Sequence, residues 1–125
     1  MTSSESLRGY GRDIFKRDGW KCAYCGLDCS QFELWLFLCV DHIIPKQQKN
    51  DIAGDVEDYD NQITACRMCN EFANRTKFDI PKRTTFKEQI ASVFDQKKKE
   101  VLKRREIRYD FWLENVKPFI KTEKH

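Results

Sequence analysis

The chain has 125 residues, 34% charged and 40% hydrophobic, the proportions of one small globular domain rather than a disordered tract or two separate cores. The longest apolar run, Leu34 to Val40, has seven residues, far below the roughly 20 that span a bilayer, so no membrane association is expected. The net charge of +3 is uneven: residues 1–21 carry +2, residues 22–80 carry −5 and residues 81–125 carry +6, which excludes a uniformly basic or acidic surface.

Basic ends suit a polyanion such as nucleic acid, and an acidic middle suits bound cations. Residues 1–6 lack a basic stretch followed by an apolar one, so a cytoplasmic, reducing setting is expected. In that setting six cysteines point to metal or redox chemistry rather than to a disulfide framework.

In chain order, Arg12 to Asp18 reads as a short helix stopped by Gly19, with Ile14 and Phe15 as its apolar edge. Phe32 to Val40 is aromatic and aliphatic and reads as a strand, with Asp41 and His42 at its end and Pro45 closing the pairing. Lys46 to Asn61 is polar, contains Gly54 and reads as a loop. A helix is expected to open around Cys66 and Cys69 and to run to about Lys77. After Pro81, Thr85-x-x-Glu88 forms a capping box with Thr85 as N-cap. Phe86, Ile90, Val93, Phe94, Val101 and Leu102 then recur at helical spacing, with Lys97, Lys98, Lys99, Lys103 and Arg104 assigned to the opposite, solvated face. Tyr109 to Val116 extends the apolar pattern. The expected organisation is a small α+β core over residues 1–80 and a basic amphipathic helical extension over residues 81–125, packed back on the core.

Cys22-x-x-Cys25 and Cys66-x-x-Cys69 are two knuckles, each able to present two thiolates to one ion. Together they complete a closed tetrahedral four-sulfur set, which favours structural Zn²⁺ and contributes folding energy directly. A redox Cys-x-x-Cys would need a βαβ context, which is missing here. Cys29 and Cys39 are left outside the site, since the paired spacing needs neither.

Between the knuckles lie Asp41-His42, then Asn61, with Asn70 directly after Cys69. Asp41 and Asn70 offer hard oxygen ligands that suit Mg²⁺ or Mn²⁺. That leaves His42 free as a base near neutral pH. Arg12, Lys16 and Arg17, with Lys97–Lys99, Arg104 and Arg105, are available to phosphates; such contacts position a protein without specifying sequence.

These residues carry a resemblance. Arg12…Lys16-Arg17-Asp18-Gly19-Trp20-Lys21-Cys22-x-x-Cys25-Gly26, then Val40-Asp41-His42-Ile43-Ile44-Pro45, Asn61 and Cys66-Arg67-x-Cys69-Asn70 resemble the HNH endonucleases of the ββα-metal (His-Me finger) superfamily. The likeness covers roughly residues 8–77. It implies a zinc-stapled hairpin and helix around one catalytic divalent ion, flanked here by an N-terminal helix and a C-terminal helical extension. It implies that His42 activates water, that Asp41 binds the metal, and that Asn61 holds the loop and helps orient the base. The third motif letter, usually histidine, is Asn70, an arrangement similar to that of phage Holliday-junction resolvases of the endonuclease VII type. Arg75 and Lys77 match the basic residue that the family places after its final metal ligand.

The expected function is therefore metal-dependent hydrolysis of DNA, duplex or branched, giving 5′-phosphate and 3′-hydroxyl ends. A non-catalytic zinc-containing nucleic-acid-binding module is the rival reading. A homodimer through the C-terminal helical region is a further possibility, because a junction is cut on two strands.

Overall fold

The computed structural model describes residues 11–73 and 77–121. Among them residues 11–17 are helical (α1), with Ile14 buried and Arg12 and Lys16 in solvent. Gly19 at φ +73° ends the helix, and Trp20 at φ +61° follows in the same left-handed region. Glycine adopts that conformation freely, whereas a tryptophan there needs support. Trp20 has it: its N–H donates to the Phe15 carbonyl at 2.8 Å, and its ring packs on Phe15 at 6.2 Å.

The centre is a ββα unit. Strand β1 (Leu38–His42) pairs antiparallel with β2 (Gln62–Cys66), with Leu38 opposite Cys66 and His42 opposite Gln62. Helix α3 (Arg67–Ala73) follows β2 without a linker. The expected strand over Phe32–Val40 is corrected: Phe32–Trp35 is one helical turn (α2), and the strand starts only at Leu38. A short apolar run fits helix and strand equally well, so its pattern could not decide. Phe32, Trp35, Leu36 and Phe37 are exposed, so no core face holds them extended.

Residues 43–61 leave β1 and return to β2 through two 3₁₀ segments, Lys46–Asp51 and Tyr59–Asn61. Side-chain amides take the place of a sheet ladder here. Gln48 exchanges two hydrogen bonds with the backbone of Phe78, and Gln89 accepts from Ala53 N–H and donates to the Pro81 carbonyl.

Helix α4 (Phe86–Asn115) begins at Thr85, whose hydroxyl accepts from Glu88 N–H at 3.1 Å, as the capping pattern requires. Thirty residues make it about 45 Å long. Its first half packs: Ile90 and Val93 join Ile43, Ile44 and Phe78 in one buried cluster, and Val101 joins Cys22, Tyr24, Ala65, Cys66 and Ala73 in another. Burial of Val93 and Val101 contributes ~1.5–3 kcal/mol each. Arg104 ties α4 to α3 by donating to the Phe72 carbonyl at 2.7 Å. Beyond it, Ile107, Tyr109 and Phe111 are exposed. None of the described helices is long and apolar enough to cross a membrane.

Candidate functional site

The two knuckles meet. The first is a tight turn in which Gly26, at φ +79°, returns its N–H to the Cys22 carbonyl at 2.8 Å, and Cys25 N–H faces the Cys22 sulfur at 3.5 Å. Ala23 N–H donates to the Thr64 carbonyl, which fastens this turn to β2. The second knuckle is the β2–α3 junction, with Cys66 ending the strand and Cys69 in the first helical turn.

The sulfurs of Cys22, Cys25, Cys66 and Cys69 all lie within 4.8 Å of one another, and Cys25 and Cys66 are 3.9 Å apart. A tetrahedral Zn²⁺ with bonds of about 2.3 Å needs sulfur separations near 3.8 Å, so the four residues fit that ion. Crowding works against four thiolates on their own: the Cys22 sulfur holds the Cys66 thiol up at about 11, and Cys22 and Cys66 push Cys69 up as well. A bound divalent cation reverses that penalty. Cys29, fully buried, and Cys39, half-buried on β1, stay outside the cluster.

Across the hairpin, Asp41, His42 and Asn70 line one cleft of about 370 Å³, with Val40, Pro45 and Ala73 among its walls. Strand β1 supplies Asp41 and His42 as neighbours, and α3 supplies Asn70 directly after Cys69 of the cluster. Asn61 lies beneath them, fully buried. Its carbonyl oxygen accepts from Ile44 N–H at 2.8 Å, and its amide nitrogen donates to the carbonyls of Ile44 and Val56. Those three bonds clamp the chain as it leaves β1 to the chain as it enters β2.

Three further residues complete the site: Glu57 and Tyr24, which were not singled out from the sequence, and Lys97, which was expected in solvent. Glu57 accepts from His42 Nε2 at 2.7 Å and pairs with Lys46 at 3.2 Å; the His42 bond is the main cause that holds its carboxyl below the usual range. Tyr24, buried inside the first knuckle, donates its hydroxyl to Asp41 Oδ2 at 2.6 Å. Lys97 reaches the same oxygen at 2.9 Å. Burial and the Asp41 charge push the Tyr24 hydroxyl well up. Burial pulls Lys97 down, opposed by Asp41.

The solvated face assigned to Lys97 is thus corrected: its side chain is 2% exposed. The signal was present in the spacing, since a residue four after Val93 and four before Val101 shares their face. Lys98 lies over the Phe94 ring and Lys99 pairs with Asp95.

Of the expected phosphate contacts, Arg12, Lys16 and Lys77 are exposed. Arg17 is committed internally, donating to the carbonyls of Tyr59 and Gln62, pairing with Asp18 and lying over the Tyr59 ring. Arg75 lies outside the described residues.

No curated protein and no solved structure matches the chain. A family model described as HNH endonuclease does, over residues 22–75. That span opens at the first cysteine of the cluster and runs past Asn70, so it takes in both knuckles and every cleft-lining residue except Lys97. Residues 22–75 thus match the HNH endonuclease family model, and the four-cysteine cluster inside that span is consistent with its zinc-type members.

Proposed function

We propose that the chain is a metal-dependent endonuclease that hydrolyses DNA phosphodiester bonds. The observation that carries this reading is the convergence of Asp41, His42 and Asn70 on one cleft beside the four-cysteine cluster. Asp41 and Asn70 offer a carboxylate and a carboxamide oxygen, a donor set suited to Mg²⁺ or Mn²⁺. Asp41 Oδ1 has no hydrogen-bond partner among the described residues, so it is available as a ligand. Such an ion supplies Lewis-acid charge at the scissile phosphate when bound.

The chain's own residues do the rest. A carboxylate only accepts, so Glu57 fixes the His42 proton on Nε2 and leaves Nδ1 as an acceptor. His42 Nδ1 takes a proton from water, and the hydroxide attacks phosphorus in line. The P–O3′ bond breaks and the departing oxygen takes a proton from solvent, giving 5′-phosphate and 3′-hydroxyl ends. Asn61 holds the backbone on either side of the site, and exposed Arg12, Lys16 and Lys77 grip flanking phosphates.

The test is nicking of supercoiled plasmid in Mg²⁺, Mn²⁺ and chelator. His42→Ala should keep its zinc and fold while losing ~10²–10⁴-fold in rate. Undiminished cleavage by that variant would remove His42 from the mechanism. One observation favours a second reading, a non-catalytic zinc-containing nucleic-acid-binding module: Asp41 Oδ2 is already taken by Tyr24 and Lys97. That reading predicts DNA binding by the wild type with no nicking in any metal.

A further inference from the structure

Lys97 is the one fully buried cation among the described residues. Its three ammonium protons meet three acceptors: Asp41 Oδ2 at 2.9 Å, the His42 carbonyl at 2.6 Å and the Ile43 carbonyl at 3.2 Å. A fully satisfied ammonium has a fixed direction. Val93 and Val101, each fully buried on the same face of α4, flank it, and it lines the floor of the cleft with its side chain almost entirely covered. A buried ion pair adds little stability over a well-packed apolar replacement, so stability alone does not account for a lysine here.

The partner makes the difference. Asp41 stands in the cleft wall with His42 and Asn70, and both donors, Tyr24 and Lys97, bind the same one of its two oxygens. We propose that Lys97 is a positioning residue: with Tyr24 it holds Asp41 Oδ2 and leaves Oδ1 as the single carboxylate oxygen offered to a divalent ion. This rests on the metal-dependent reading of the cleft given above and adds a regulatory consequence to it. A cation fixed on Oδ2 opposes a second cation on Oδ1, so metal binding is held weak. A one-oxygen carboxylate also leaves coordination positions for phosphate and water, as sites for Mg²⁺ require. Residues of α4, outside the family-matched span, thereby belong to the working site.

The experiment uses the full zinc-loaded chain. Mn²⁺ affinity is measured without DNA by the spin resonance of free Mn²⁺, and nicking rate is measured against Mg²⁺ concentration. Lys97→Met should bind Mn²⁺ about tenfold more tightly, because the opposing cation is gone, and nick about tenfold more slowly at saturating Mg²⁺, in line with the activity lost when an outer-shell partner is removed. Tyr24→Phe should shift both quantities in the same directions by less. Tighter binding with slower turnover is a split that loss of folded protein does not produce. Unchanged or weaker Mn²⁺ binding by Lys97→Met overturns the proposal, and if that variant does not fold, unchanged binding by Tyr24→Phe does so instead. Asp41→Asn separates the two levels. If it binds Mn²⁺ as the wild type does, Asp41 is no ligand and the metal reading falls together with this inference. If it loses Mn²⁺ while Lys97→Met is unchanged, only the role of Lys97 falls.

Discussion

Asp18 closes α1 onto the sheet. Its carboxylate accepts from Thr64 N–H at 2.9 Å and pairs with Arg17, which in turn donates to two carbonyls at the β2 entrance. Partial burial pushes the Asp18 carboxyl up, but Arg17 and the Thr64 N–H outweigh it and hold the group below 3.8. A carboxylate depressed on folding contributes stability that is fully present above its unfolded value and is lost as pH falls through the folded one. Asp18→Asn should therefore lower stability at pH 7 by about 1 kcal/mol, a figure discounted for solvent screening, or about 3–5 °C in Tm. The gap to wild type should close as pH falls below 3.8, because both proteins lose zinc alike in acid and only their difference reports Asp18. A gap that stays constant from pH 7 to pH 3 would show that Asp18 acts through shape and not through charge. Arg17 illustrates why single residues were unevenly legible: its charge is visible in sequence, but its partners at Tyr59 and Gln62 exist only once α1 lies against β2. Asp41, His42 and Asn70 could be singled out because adjacency to one another or to a knuckle is written in the chain. Tyr24 and Glu57 are 17 and 15 residues from the groups they serve, and nothing local marks that pairing.

At the level of elements, the knuckles, α1, α3 and the start of α4 were readable because each is punctuated locally, by Gly19, by paired cysteines and by Thr85. The segment from Phe32 to Phe37 was not, since alternating apolar residues need a second layer to face, and a two-stranded sheet supplies none beyond Leu38. The polar stretch after Pro45 gave no periodic signal either. Its order comes from distant amides, Gln89 and Asn61, and from one close approach. At Gly54 a Cβ would stand 2.7 Å from Cγ and Cε2 of the Phe86 ring, with Cδ2 nearer still, so the ring at the start of α4 packs on bare backbone. Gly54→Ala should destabilise the protein by about 1–3 kcal/mol through overpacking, read as a lower urea midpoint with an unchanged slope. Phe86→Leu in that background should recover part of the loss, because the two changes share one contact. Additive effects in the double-mutant cycle would mean that the loop yields freely and does not depend on α4 for its path.

For the molecule as a whole, four cysteine thiolates around one Zn²⁺ add −2 to the formal charge, which takes the middle segment from −5 to about −7. Lys97 offsets part of that charge from within, carrying a positive group of the basic C-terminal segment to the floor of the acidic cleft. The same architecture makes zinc hard to dispense with. The cluster around the knuckles buries mostly small side chains, namely Cys22, Ala65, Cys66, Cys69, Ala73 and Val101, with Tyr24 as its one large member. Even with half-buried Ile63, Phe72 and Phe94 packed against it, so small a buried core gives α3, the first knuckle and α4 little stability of its own, and structural zinc sites supply folding energy outright. Tyr24 extends that dependence to the cleft, since it lies between two zinc-type cysteines, stacks on Phe94 of α4 at 5.6 Å and donates to Asp41. Removing zinc with a chelator at neutral pH should therefore abolish near-ultraviolet circular dichroism and the cooperative melt together, and one equivalent of Zn²⁺ should restore both while excess Mg²⁺ restores neither. Cys66→Ser should resemble the chelated protein at any zinc concentration that leaves the wild type saturated. A chelated chain that still melts cooperatively would show that α4, through Lys97, Val93 and Val101, carries the stability assigned to the four sulfurs.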